Sequence, residues 1–175
     1  VSTYIGSNSL TLPVVGRVHG DCYAGGVGLA AVCDVLVAAD GMHFCLSEAK
    51  LGLLPATIGP YVVRALGEQA SRRYFATAER FTASRAHQLG FVHEVVAADA
   101  LDTKVNEVVA ALVANGPAAV KACKRLVQDV AGRPIDGALR ADTARRIADI
   151  RASAEGKEGV QSFLDKRSPS WSVKP

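Results

Sequence analysis

The residues best placed to do chemistry lie in the run His19-Gly20-Asp21-Cys22-Tyr23-Ala24-Gly25-Gly26-Val27-Gly28-Leu29-Ala30 and in Leu46-Ser47-Glu48. An apolar strand feeds a glycine-rich turn that opens a short helix, and Glu48 stands in a largely apolar stretch twenty residues beyond Gly28. Backbone N–H groups at a helix start point outward, and the helix dipole adds positive potential there. Set against a thioester carbonyl, such donors stabilise an enolate oxygen and acidify the α-carbon. Only glycine lets a substrate approach the backbone so closely. Glu48 is flanked by Phe44, Cys45, Leu46, Ala49 and Leu51, so its carboxylate is expected to be partly desolvated, a condition suited to proton transfer. These residues predict an oxyanion hole built on Gly25, Gly26 and Gly28, with Glu48 as acid/base.

Other uses of the same residues fit less well. Gly26-Val27-Gly28-Leu29-Ala30-Ala31 matches the G-x-G-x-x-A dinucleotide fingerprint. That fingerprint begins at the strand end and is followed about 20 residues on by a ribose-binding acid. Here Gly20 to Ala24 intervene, and Asp40 comes only fourteen residues after Gly26. Asp34 reads as a structural hydrogen-bonding residue, and His19 as a packed, backbone-bonded histidine. Ser47 has no histidine partner by position, which argues against a nucleophile. A Glu48–Lys50 or Glu48–Arg64 ion pair is the surface alternative for the glutamate.

Composition narrows the class. At 175 residues, with 49% hydrophobic and 21% charged residues, the chain is that of a globular protein with a substantial core. Its net charge is only +3, and acidic residues alternate with basic ones along the helical stretches, so no nucleic-acid partner is expected. Lys121, Lys124 and Arg125 read as a solvated helix face. The four cysteines, Cys22, Cys33, Cys45 and Cys123, lack metal-ligand spacing, and Cys33 and Cys45 read as small core residues, which predicts a reduced, cytoplasmic setting. No stretch approaches the roughly 18 apolar residues of a membrane span, so no membrane partner is expected. Val1-Ser2-Thr3 carries neither an initiator methionine nor a signal peptide, and reads as an interior point of a longer reading frame.

The elements that must position the site follow from periodicity and turn signals. Leu12–Val18 is predicted as a strand buried on both faces, and Gly25–Cys33 as a helix. Val35–Ala39 and Phe44–Leu46 are predicted strands joined by a hairpin-type Asp40-Gly41 turn. A loop over Gly52–Pro60 precedes helices at Tyr61–Leu66, Gln69–Thr77 and Ser84–Leu89, and Phe91–Val96 is a last strand. Beyond it the pattern is all helical: Leu101–Ala114, Ala118–Val130, Ile135–Ala154 and Lys157–Lys166. The fold class is therefore α/β, with a first part over 1–100 and a helical tail over 101–175.

With these motifs in place the chain resembles the enoyl-CoA hydratase/isomerase (crotonase) superfamily. The resemblance rests on Pro13-Val14-Val15, Val18-His19-Gly20, Ala24-Gly25-Gly26-Val27-Gly28-Leu29, Cys33-Asp34, Glu48, Leu51-Gly52 and Pro55. Ala78-Glu79-Arg80-Phe81-Thr82-Ala83 and Phe163-Leu164-Asp165-Lys166-Arg167 continue it. Leu46 to Ile58 followed by Pro60-Tyr61-Val62-Val63-Arg64 is similar to bacterial methylglutaconyl-CoA hydratases. The resemblance implies a crotonase-like spiral of ββα turns, a helical trimerisation tail, and a homotrimer or dimer of trimers. It implies an acyl-CoA substrate with no separate cofactor or metal, since coenzyme A is part of the substrate. Gly25 would give the second oxyanion N–H and Glu48 the proton. Phe163 and Lys166 would contact the CoA of a neighbouring copy. The expected reaction is hydration or dehydration of a branched α,β-unsaturated thioester.

Two departures qualify this. Where hydratases of the family place a second, water-holding glutamate, this chain has Gly28, which opens the alternative of a double-bond isomerase with Glu48 as sole proton shuttle. The segment that precedes Pro13 in the family is expected to be absent, with the opening spiral turns and the first oxyanion donor. A truncated, non-catalytic assembly partner is the third reading.

Overall fold

The structure is a computed structural model that describes residues 10–172; the sequence readings of Val1–Ser9 lie outside the described residues. The chain divides after Val108 into two compact units.

In the first unit, strands β1 (Val15–Val18), β3 (Val35–Ala39) and β6 (Glu94–Val96) form a parallel sheet in the order β1-β3-β6, with Val15 opposite Val35 and Ala38 opposite Val95. A second sheet has the order β2-β4-β5, from Cys22–Tyr23, His43–Cys45 and Arg80–Thr82. Here β2 runs parallel to β4, and β5 antiparallel to it. The predicted Asp40-Gly41 hairpin does not form. Gly41 does turn the chain with φ of 82°, but β3 and β4 belong to different sheets and each has both edges taken by other strands. The turn passes the chain from one sheet to the other.

The alternation along β3 explains its unbroken apolar sequence. Leu36 and Ala38 enter the main core, whereas Val37 and Ala39 pack with Leu101 on the opposite face. By contrast β1, predicted as buried on both faces, is half-buried. It lies at the edge of its sheet among the described residues, and its Arg17 reaches out to Asp102. Opposite Leu36 the strand carries Gly16, where a Cβ would sit 2.6 Å from Leu36 Cδ1 and 2.8 Å from Cys33 Sγ.

Helix α1 (Gly25–Ala31) follows β2, and a 3-10 turn (Ser47–Leu51) follows β4. Helices α2 (Gly59–Leu66) and α3 (Glu68–Thr77) pack together, and α3 also packs on the 3-10 turn. An aromatic cluster holds α3, β4 and β5 in place. Phe44 stacks on Phe81 at 5.6 Å and meets Phe91 edge-on at 5.3 Å, while Tyr74 of α3 stacks on Phe81 at 4.1 Å. Helix α4 (Ala83–Gln88) starts at Thr82, whose side chain accepts the Arg85 N–H as an N-cap. Helix α5 (Leu101–Val113) leads out of the first unit.

The second unit is helical: α6 (Pro117–Val130), α7 (Gly137–Ala152) and α8 (Ala154–Leu164). The predicted Ile135–Ala154 helix stops at Ala152 because Ser153 is extended and caps α8 by accepting the Gly156 N–H. Glu155 accepts the N–H groups of Ala118 and Ala119 at 2.9 and 2.8 Å, placing a carboxylate at the positive end of α6. Arg146 of α7 pairs with Asp129 of α6 at 2.8 Å. Beyond α8, Arg167 and the Ser170 N–H both bind Glu158, and the Trp171 ring covers Gly159.

Candidate active site

The glycine turn and Glu48 leave the same end of the same strand pair. Cys22 and Tyr23 of β2 pair with Phe44 and Cys45 of β4. One residue later the Ala24 N–H donates to the Cys45 carbonyl at 2.9 Å. From there β2 leads into α1 at Gly25, and β4 leads into the 3-10 turn in which Glu48 is the second residue. The carboxyl ends of adjacent parallel strands are where α/β folds gather ligand-binding groups.

Glu48 is half-buried and one of its carboxylate oxygens, Oε2, is fully enclosed with no hydrogen-bond partner. Among the described residues it makes no ion pair, so the expected alternative of a Lys50 or Arg64 partner is not the observed arrangement. A buried carboxylate oxygen without a donor costs free energy in a resting protein. An atom of this kind calls for an explanation, and a place for a ligand or a proton is one.

Gly25 and Gly26 are the first two residues of α1, and Gly28 is buried within it. A Cβ on Gly26 would meet nothing closer than Cys22 Cβ at 3.8 Å. Packing against the described residues therefore does not demand glycine there, whereas close approach of a ligand would. Ala24, the residue before the helix, holds φ 45° and ψ −114°, a conformation strongly disfavoured for any residue with a Cβ. It is pinned there by its N–H on Cys45 and by its carbonyl, which accepts from Val27 and Gly28 at 2.9 and 3.3 Å.

The loop into this turn is braced by Asp21, which sequence reasoning passed over. Its carboxylate accepts the His43 backbone N–H at 2.7 Å and pairs with Arg80 of β5. The His43 hydrogen bond, assisted by the Arg80 charge and opposed by partial desolvation, holds the Asp21 carboxyl below its ordinary range. Arg80 also lies over the Tyr23 ring at 5.9 Å. Burial and the neighbouring Asp21 charge push the Cys22 thiol up, the opposite of the shift that favours a thiolate. No sequence signal joins Asp21 to Arg80 across 59 positions.

The remaining candidates separate clearly. Asp34 accepts the Val14 N–H at 2.7 Å, a structural role as expected. His19 is exposed and not packed. His87 and His93 bind backbone groups, Val92 O and Leu36 N. Cys45 is buried, with its thiol against the Ala78 carbonyl. Phe163 and Lys166 lie in the second unit, Phe163 on α8 with 81% exposure and Lys166 just beyond it with φ 52°. Among the described residues no group of three or more His, Cys, Asp or Glu side chains is arranged to hold a metal, and no helix is long and apolar enough to cross a membrane.

Comparison with known proteins gives the family. Residues 4–174 match the enoyl-CoA hydratase/isomerase family. The chain is 35% identical over 158 residues to the enoyl-CoA hydratase ACTT6 of Alternaria alternata, covering 88% of this chain and 52% of that protein. It is 31% identical over 166 residues to the carnitinyl-CoA dehydratase of Citrobacter koseri, covering 93% of this chain and 64% of that one. A solved Legionella pneumophila chain assigned to the enoyl-CoA hydratases/isomerases (crotonase) superposes with a TM-score of 0.94 at 42% identity, over 98% of this chain and 66% of that chain. The chain thus spans between half and two thirds of the length of these relatives.

Proposed function

Because the chain belongs to the enoyl-CoA hydratase/isomerase family, we propose that it adds water to, or removes it from, an α,β-unsaturated acyl-CoA thioester, with Glu48 as the proton carrier. The single observation that carries this reading is the enclosed, unpartnered Oε2 of Glu48, three residues beyond the Cys45 whose carbonyl accepts the Ala24 N–H at the root of α1. In the hydration direction the water oxygen bonds to the β-carbon and the thioester becomes an enolate. The N–H groups at Gly25 and Gly26 serve that enolate oxygen as donors, with buried Gly28 shaping the turn beneath them. Glu48 takes the proton that the water loses and delivers a proton to the α-carbon, and reversal expels water. The step balances with water alone, its hydroxyl on the β-carbon and its proton on the α-carbon, so the proposed reaction calls for no redox carrier.

The acyl group proposed is a branched one of the methylglutaconyl type, supported by the similarity of Leu46 to Arg64 noted in the sequence. Phe163 and Lys166 are proposed CoA contacts made toward a neighbouring copy in a trimer or dimer of trimers. The exposed apolar side chains Val160, Phe163 and Leu164 of α8 support such an assembly. A second reading, double-bond isomerisation, draws support from Gly28, where a water-holding glutamate would otherwise stand.

The test is turnover of crotonyl-CoA and 3-methylglutaconyl-CoA, alongside the β,γ-unsaturated 3-butenoyl-CoA, by the purified protein and its Glu48→Gln variant. Hydration that falls roughly 10²- to 10⁴-fold in the variant, with the fold intact, supports the first reading. Conversion of 3-butenoyl-CoA without hydration selects the isomerase. No turnover of any of the three leaves a non-catalytic assembly role.

A further inference from the structure

Beside the Glu48 turn runs a groove of about 310 Å³, between the loop after that turn and helix α3. Leu53, Leu54 and Ala56 form one wall and Phe75 of α3 the other, and Arg72 is the one charged residue lining it. The groove is tied to the site by backbone. The Leu53 N–H donates to the Glu48 carbonyl at 3.1 Å, and α3 packs on the turn that holds Glu48. We propose that this groove takes the far end of the acyl group and that Arg72 reads a carboxylate at its tip.

The argument is one of chemistry and availability. An apolar channel alone accepts any hydrocarbon tail, and a guanidinium at its wall adds bidentate recognition of a planar anion. The neighbouring Arg73 is already committed, with Nε and Nη2 on Glu79 at 2.6 and 3.1 Å. Arg72 makes only an exposed pair through Nη2 with Glu68, one turn earlier on the same helix. Such i,i+4 surface pairs are weak and exchange readily for a better-held anion. A substrate carboxylate carried to Arg72 on an acyl chain that lies along Leu53, Leu54 and Phe75 is that anion, held there by the rest of the bound molecule. The proposal deepens the hydratase reading and rests on it for the identity of the thioester end, but its recognition step is separable from turnover.

The experiment uses saturated, unreactive thioesters, so that binding is read without chemistry. Calorimetric titration of the protein with glutaryl-CoA and butyryl-CoA is expected to show a preference for glutaryl-CoA. In Arg72→Ala that preference falls roughly 3- to 5-fold through weaker glutaryl-CoA binding, since a charge pair at a largely exposed guanidinium is lost. Arg72→Lys restores part of it, and Glu68→Gln leaves it intact. Equal binding of both thioesters by the unmodified protein, or a preference that survives Arg72→Ala, overturns the proposal. Turnover of crotonyl-CoA is measured in parallel. Its absence, with the binding preference present, would overturn the hydratase reading and leave carboxylate recognition standing.

Discussion

Glu48 and Ala24 carry unfavourable local energies of different kinds. Glu48 keeps an enclosed oxygen without a donor, and Ala24 keeps a backbone conformation that suits glycine. Strain of this sort persists where surrounding contacts over-determine it, and three hydrogen bonds on the Ala24 peptide groups do so here. Ala24→Gly is therefore expected to raise stability. Relief of roughly 1–3 kcal/mol of strain exceeds the roughly 0.4–1 kcal/mol that glycine adds in unfolded-state entropy. Thermal unfolding should show a midpoint higher by a few degrees. A lower midpoint would mean that Ala24 is not strained. On the proposed assignment the same variant loosens the turn, so kcat should fall more than KM rises. Glu48 was legible in the sequence as a lone charge among apolar neighbours. The strain at Ala24 was not, because a φ value is set by the bonds to Cys45, Val27 and Gly28.

Among the elements, the segment after α8 offers a test by pH. Two hydrogen bonds from Arg167, at 2.7 and 2.9 Å, and one from the Ser170 N–H, at 2.9 Å, hold the Glu158 carboxyl down to about 2 from an ordinary 4.5. A carboxyl whose folded value is depressed adds stability above its unfolded value and loses it as pH falls through the folded one. The packing of this segment should accordingly weaken between about pH 4.5 and pH 2. Trp171, the chain's single tryptophan, lies over Gly159 and reports the change by its fluorescence. Glu158→Gln should abolish that acid transition; an unchanged transition would refute the assignment. Most helices were legible at this scale, since apolar spacing together with Pro117 and Gly132 marks their limits. The break at Ser153 lay inside a predicted helix and shows only in the extended backbone of that residue. The strands β2 and β5 were not, being two and three residues long, too short to show a period. The hairpin expectation failed because Asp40-Gly41 is a local signal, whereas strand partners are chosen by contacts distant in sequence.

For the molecule as a whole, the proposed assembly makes the most accessible prediction. On α8, Val160, Phe163 and Leu164 are 51%, 81% and 66% exposed, and they recur at the three- and four-residue spacing of one helix face. Apolar groups grouped in this way on a surface mark a contact site. Light scattering coupled to size exclusion is expected to give a mass that is a multiple of three chains. Phe163→Ser together with Val160→Asp should shift it toward the monomer while each unit stays folded. An unchanged mass would move the interface elsewhere. The family resemblance was legible from Pro13 onward because the glycine turn, Glu48 and the terminal Phe163 to Arg167 run are contiguous motifs. The Asp21–Arg80 brace and the Arg72 groove are assembled only by folding. The bond from the Ala24 N–H to the Cys45 carbonyl has a further consequence. It joins the glycine turn and the Glu48 turn at their roots, so a tilt of the strand pair carries both along and leaves their separation unchanged. On the proposed assignment that separation is a ruler laid along the acyl chain. It selects the carbon that exchanges its proton by distance from the carbonyl, whatever branches that carbon bears.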